Sequence, residues 1–238
     1  MAFQTKTDYS GLTSLIGSSL VIRDDNPNDS VETYFPQGQD GSFVAGEVYG
    51  QDSAPTNTFG LKANLVHTEG TIKLGKVTSV GDGSSAKKYK LESIEITTGS
   101  ATPVGFSATS QEVESDATDD CVYDVPAFAL TTKQHAQDIF SALTLNGSGC
   151  EFTQLTARIA CSVNKDKVAG TKISSDINSG VIEITGTILQ TGTTAPTLDV
   201  AEGWVISQPP TAPTPETAYK TWSFTVRKNL KKSTVSAS

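Results

Sequence analysis

The chain reads as mainly β: an antiparallel β-sandwich or barrel with one flanking α-helix at about 132–143 and extended arms or loops. Three observations predict this. Strict two-residue alternation recurs through the second half, and only one segment carries helical spacing. Thr, Ser and Gly are abundant while 36% of residues are apolar and 18% charged, the composition of sheets with polar outer faces and many turns.

The clearest strands follow residue 150. Leu155, Ala157, Ile159, Cys161 and Val163 alternate with Gln154, Thr156, Arg158 and Ser162. Ile182, Ile184 and Ile188 oppose Glu183, Thr185 and Thr187, and Trp222, Phe224 and Val226 oppose Thr221, Ser223 and Thr225. Such patterns predict half-buried antiparallel strands. Earlier, Leu61, Ala63, Leu65 and His67 share one face, and Glu69-Gly70 can turn the chain into Ile72 and Leu74 as a hairpin. Between Lys87 and Thr97, Tyr89 and Leu91 hold odd positions but Ile94 and Ile96 even ones. That change of phase predicts a β-bulge or a switch of face. A further strand is expected around Val104 to Thr109.

The helix is expected from Thr132 to Leu143, because Ala136, Ile139, Phe140 and Leu143 recur at i, i+3, i+4, i+7. Thr131 and Gln134 have capping-box spacing, and Asn146-Gly147 can end the segment. Pro196, Pro209, Pro210, Pro213 and Pro215 predict an extended connection around the short apolar piece Trp204 to Ile206. The organisation expected is an N-terminal arm with loops over 1–60, one β domain over 61–230, and a polar C-terminal tail over 231–238.

A net charge of −8 argues against a protein that grips nucleic acid, which needs clustered Lys and Arg. The charge is uneven. Glu112, Glu114, Asp116, Asp119, Asp120 and Asp124 crowd a passage without a base, which is expected in solvent. Arg227, Lys228, Lys231 and Lys232 lie in a C-terminal stretch without an acid. A basic end on an acidic body suits contact between copies. No apolar run approaches the ~20 residues of a membrane-spanning helix, and the first residues lack a signal-peptide pattern. The expectation is a soluble protein made in a cytoplasm, with no membrane anchor.

No residue is assigned a catalytic, cofactor-binding or metal-binding role. The two histidines, His67 and His135, accompany neither a GxSxG elbow nor a CxxC pair. GxxxxGK[ST] and GxGxxG are both missing. Asp24, Asn26 and Asn28 have the oxygen spacing of a calcium loop, but Asp29 replaces its glycine and Phe35 its final carboxylate. An ordinary Asn/Asp/Pro turn is the reading there. Cys121, Cys150 and Cys161 are odd in number and widely spaced, which predicts free, buried thiols. The function class left standing is a repeated structural subunit rather than an enzyme. Neighbouring copies would cover its open sheet edges.

The stretch Lys87 to Thr97, the acidic passage to Asp124, the segment TTKQHAQDIFSAL and the strands ending in KTWSFTVRKNL together resemble the tail-tube proteins of tailed phages and related contractile injection machines. The resemblance covers about Lys87 to Leu230 and leaves the N-terminal third unmatched. It implies two antiparallel sheets in a barrel-like sandwich with a flanking helix. It also implies homohexameric rings stacked into a tube with an acidic lumen for passage of genomic DNA, no cofactor, other virion proteins as partners, and assembly in the host cytoplasm into the viral tail. On that reading the acids from Glu112 to Asp124 are candidates for the lumen or for ring stacking. Arg227, Lys228, Lys231 and Lys232 are candidates for contact between subunits. A capsid decoration or head-to-tail connector protein, and a β-sandwich carbohydrate-binding or adhesin module, are the alternatives.

Overall fold

The computed structural model describes residues 19–26, 29–34, 47–80, 86–100, 104–119, 121–132, 136, 138–168, 171–212 and 220–233. Six strands come first: β1 (Leu20–Asn26), β2 (Asp29–Tyr34), β3 (Glu47–Ser53), β4 (Thr56–Leu61), β5 (Leu65–His67) and β6 (Lys73–Leu74). Next are β7 (Val77–Val80), β8 (Lys87–Gly99), β9 (Gly105–Val113), β10 (Val122–Asp124), β11 (Phe128–Leu130) and β12 (Leu143–Asn146). The last are β13 (Cys150–Val168), β14 (Thr171–Gln190), β15 (Thr197–Val200), β16 (Val205–Thr211), β17 (Lys220–Asn229) and β18 (Lys232–Ser233).

Nine of these strands make one antiparallel sheet in the order β1-β4-β9-β8-β13-β14-β17-β16, with β7 also on β8. Both β1 and β4 join this sheet, although most of their residues come from the stretch read as arm and loops. Smaller antiparallel groups are β18-β10-β6, β11-β5, β12-β15 and β2-β3.

Period-two alternation puts apolar side chains in register on one face of the large sheet. Phe59, Phe106, Ile96, Ala157, Ile184 and Val226 stand side by side across six strands, and all six are buried. Ile94, Ile159 and Ile182 form the next row at 0% exposure. Each fully buried Ile or Phe contributes about 1.5–3 kcal/mol relative to exposure. Leu74, Val125, Phe128, Leu130, Ile139, Ala142, Leu198 and Trp204 belong to the same apolar cluster, so the short strands cover this face. Aromatic contacts tie the layers together: Phe106 lies 6.5 Å from Phe128, Phe128 5.9 Å from Phe140, and Phe140 6.1 Å from Trp204.

The phase change in β8 is a bulge between Leu91 and Ser93 against β9, the first of the two outcomes its pattern allows. A second irregularity shapes the longest hairpin. β13 and β14 pair from Cys150↔Gln190 to Val168↔Thr171, but β8 registers with β13 only as far as Ala160 and β17 with β14 only from Val181. Residues 161–168 and 171–180 therefore form a two-stranded arm beyond the sheet. A bulge lies between Cys161 and Ser162, opposite Ser179 in a left-handed conformation at φ 44°. The arm rests on the body: Ile177 packs over Gly75, and Gly180 faces the Tyr123 ring.

Three expectations need correction. The helix at 132–143 does not form over its described residues: Thr132 and residues 139–141 are bends, and Leu143 opens β12. Residues 133–135 and 137 lie outside the described set. The Asp138 carboxylate accepts N–H groups of Phe140, Ala142 and Leu143, and Ser141 is left-handed at φ 54°. Both effects oppose a continuing i→i−4 ladder. Ile139 is nevertheless buried, so the apolar stripe faces the core without a helix.

The hairpin drawn between Leu61–His67 and Ile72–Leu74 is not present either, because β5 pairs with β11 and β6 with β10. Alternation fixes which face a residue takes, not which strand lies beside it. Finally, the polar tail begins inside the fold: β18 pairs with β10, and the Lys231 carbonyl accepts the Asp124 N–H at 2.9 Å. Residues 234–238 lie outside the described set.

Candidate functional site

The outer face of the large sheet is an organised polar surface. Its register places Glu95 on β8, Arg158 on β13, Glu183 on β14 and Arg227 on β17 in one transverse row. Charges alternate along it. Arg227 donates through Nε to Glu183 Oε2, and Arg158 stands directly opposite both Glu95 and Glu183. Facing side chains on adjacent strands have Cβ atoms about 5 Å apart, within reach of such groups.

The neighbouring row is Thr97, Thr156, Thr185 and Thr225, with Gln208 beside Thr225. The next holds Gln154, Thr187 and Ser223. Apart from Thr97, these hydroxyl and amide groups line a trough of about 290 Å³. Beneath it Gly186 lets Leu155 and Phe224 meet on the apolar side. β-Branched Thr suits both demands of this face, strand propensity and a polar surface.

Most of the acidic passage is turned to internal use. Glu112 pairs with Lys87 at 3.2 Å, and Asp124 pairs with Lys73 at 2.6 Å. Asp119 Oδ1 accepts the Val77 N–H at 2.6 Å, and Glu114 accepts the Ser175 hydroxyl at 3.0 Å. Asp116 is exposed, while Asp120 lies outside the described residues. The solvent-loop expectation thus fits Asp116, whereas Glu112 and Asp124 keep only 14% and 13% of their side chains exposed.

The basic residues also separate. Arg227 belongs to the charged row, and Lys228 Nζ lies 5.9 Å from the centre of the Trp204 ring, a cation–π contact. Lys231 and Lys232 are exposed beside β10.

Cys121, Cys150 and Cys161 are free thiols, and Cys161 alone is buried. Burial, followed by the nearby charges of Glu92 and Cys121, pushes the Cys161 thiol up to about 12. It is therefore a poor nucleophile. His67 is buried, donates from Nε2 to the Val125 carbonyl at 3.2 Å, and lies 4.8 Å from the Phe128 ring centre. Desolvation lowers its pKa, opposed by that hydrogen bond. His135 and Asn28 lie outside the described residues, and Asp24 and Asn26 belong to β1 rather than to a turn. Among the described residues no group of three or more His, Cys, Asp or Glu side chains could hold a metal ion.

No protein-family model matches the chain, and no curated protein matches it. The polar face is thus read on its own chemistry. Sequence patterning had placed Arg158, Glu183, Thr156, Thr185 and Thr225 on the polar side of their strands, but their alignment into rows depends on register, for which single strands carry no signal.

Proposed function

We propose that this chain is a structural virion subunit, the repeating unit of a phage tail tube. In this reading six copies close into a ring, their inner sheets join into one continuous barrel around a lumen, and rings stack into a tube through which genomic DNA passes. The observation that carries the reading is the wide outer sheet face: hydroxyl- and amide-rich, with Glu95, Arg158, Glu183 and Arg227 alternating in one row and Arg227 paired to Glu183. A surface of that kind suits repeated contact and unhindered sliding more than selective capture of a ligand.

The strand segments behind the resemblance support it, from Lys87–Gly99 to Lys220–Asn229. The segment 132–143 no longer contributes a helix to it. The −8 charge of the chain gives a physical reason for an acidic lumen, because negative walls repel phosphate. With Glu112, Glu114, Asp119 and Asp124 engaged inside the subunit, Asp116 is the described acid of that passage best placed to face a neighbour or a channel.

The test is negative-stain microscopy of the purified chain. Six-fold rings or tubes with a central channel support the proposal. Particles that bind only to preformed capsids would favour a decoration protein, and stable monomers that bind glycans an adhesin module.

A further inference from the structure

Of the chain's asparagines, Asn146 alone precedes a glycine. It closes β12, and the turn Asn146-Gly147-Ser148-Gly149 that leads into β13 is exposed throughout. Gly147 has φ 132°, a backbone conformation open to glycine and strained for other residues. The Asn146 side chain is held from across the β12–β15 pair: its Nδ2 donates to Asp199 Oδ2 at 2.7 Å. In register Asn146 faces Thr197, so Asp199 is its diagonal neighbour on the same face.

A backbone nitrogen with no side chain beside it can reach the amide carbon of the preceding asparagine. In that reaction the Gly147 nitrogen forms a bond to Asn146 Cγ, the Cγ–Nδ2 bond breaks, and ammonia leaves with the proton that the glycine nitrogen gives up. Water then opens the cyclic imide. Opening at Cγ leaves an aspartate; opening at the main-chain carbonyl leaves an isoaspartate, with the side-chain carbons in the main chain. Exposure supplies the water, and neither an oxidant nor a cofactor enters the balance. Either product exchanges the donor to Asp199 for a carboxylate. The isoaspartate also lengthens the chain at Gly147, where an added Cβ would come within 2.9 Å of Cys150 Sγ and 3.4 Å of Pro196 Cα.

We propose that Asn146 is a self-modifying site, and that its conversion to a carboxylate loosens β15 from β12. Asp199 then faces a like charge in place of its hydrogen-bond donor, which destabilises a strand pair. The consequence reaches the core, because Leu198 on β15 is buried in the apolar cluster and Leu143 and Leu145 on β12 pack against that cluster. The site belongs to the single chain and needs no assembly.

The experiment incubates the folded full-length chain at mildly alkaline pH and follows each asparagine by peptide mass spectrometry. Asn146 is expected to convert on the order of tenfold faster than Asn164 and Asn178, which are exposed on the arm but precede Lys and Ser. Aspartate and isoaspartate should both appear at that position. Conversion no faster than at Asn164 and Asn178 would overturn the proposal. So would aspartate without isoaspartate, because hydrolysis would then bypass the imide. The effect on the fold is read by hydrogen exchange over residues 143–146 and 197–200. Asn146→Asp is expected to speed exchange there about fivefold. The double variant Asn146→Asp/Asp199→Asn restores one amide donor to one carboxylate and should return exchange to the natural rate. Unchanged exchange in the single variant, or no rescue in the double, would contradict the loosening of β15. Should Asn146→Asp fold poorly by circular dichroism, the aged natural chain, separated from the unconverted form by its added charge, decides in its place: faster exchange over those strands supports the proposal, and equal exchange overturns it.

Discussion

Lys90, only 1% exposed, donates its ammonium to the Ser175 carbonyl at 2.9 Å. The Ser175 hydroxyl donates in turn to Glu114, whose second oxygen is buried without a hydrogen-bond partner among the described residues. One residue of the arm is thereby held by two groups of opposite charge. Lys90→Met should keep the stem's packing, strip Ser175 of a charged donor and leave Glu114 without the nearby cation. A loss of about 2 kcal/mol is expected in urea unfolding, with faster hydrogen exchange at residues 174–177. Unchanged exchange there would mean that the arm is held by Ile177 and Gly180 alone.

Gly186 is required by what lies beneath it. A Cβ at this position would come within 2.5 Å of Leu155 Cδ2 and 2.6 Å of Phe224 Cζ. Gly186→Ala should therefore destabilise the chain by about 1–3 kcal/mol through overpacking, despite the better strand propensity of Ala. Urea unfolding measures this, and a neutral result would require both side chains to find new rotamers freely.

His67 gives the fold a pH dependence of known sign. Its folded pKa is lowered from 6.5, mainly by burial, so the unfolded chain takes up a proton before the folded one does. The stabilisation is full above about pH 6.5 and is lost as pH falls through the lower folded value. Thermal midpoints should decline from pH 7.5 to 5.5 in the natural chain. His67→Gln should flatten that decline, and an equal decline in the variant would shift the cause to His135 or to carboxylates.

The pattern of alternation made most of the large sheet legible in advance. Ile182, Ile184 and Ile188 announced a buried face, and the odd-to-even switch from Leu91 to Ile94 announced a bulge or a switch of face in β8, where a bulge lies. Partners were not legible. Lys73 and Asp124 meet across 51 positions of sequence, and nothing local to either predicts the other. The same holds for the row from Glu95 to Arg227, which exists only once four strands are registered. Ala136, Ile139, Phe140 and Leu143 misled for a different reason. Their spacing describes any segment that must bury one side, and the Asp138 carboxylate takes the amides that would have joined a helix.

The thiols should separate by burial. With Cys161 pushed up to about 12, its thiolate is scarce at pH 8, whereas Cys121 and Cys150 are only half buried. Under native alkylation Cys161 should stay unmodified until the chain unfolds, as read by mass spectrometry. The linked stability is present below about pH 9 and declines as pH rises toward 12, because the folded thiol keeps a proton that the unfolded one releases. Rapid labelling of Cys161 in the native chain would show that the sheet opens locally around β13.

Self-assembly is the centre of the account, and sedimentation velocity over a concentration series tests it most directly. The prediction is a boundary at six times the mass of the chain, passing into larger species as rings stack. A single folded species at the mass of one chain, unchanged up to the highest concentration reached, would contradict it.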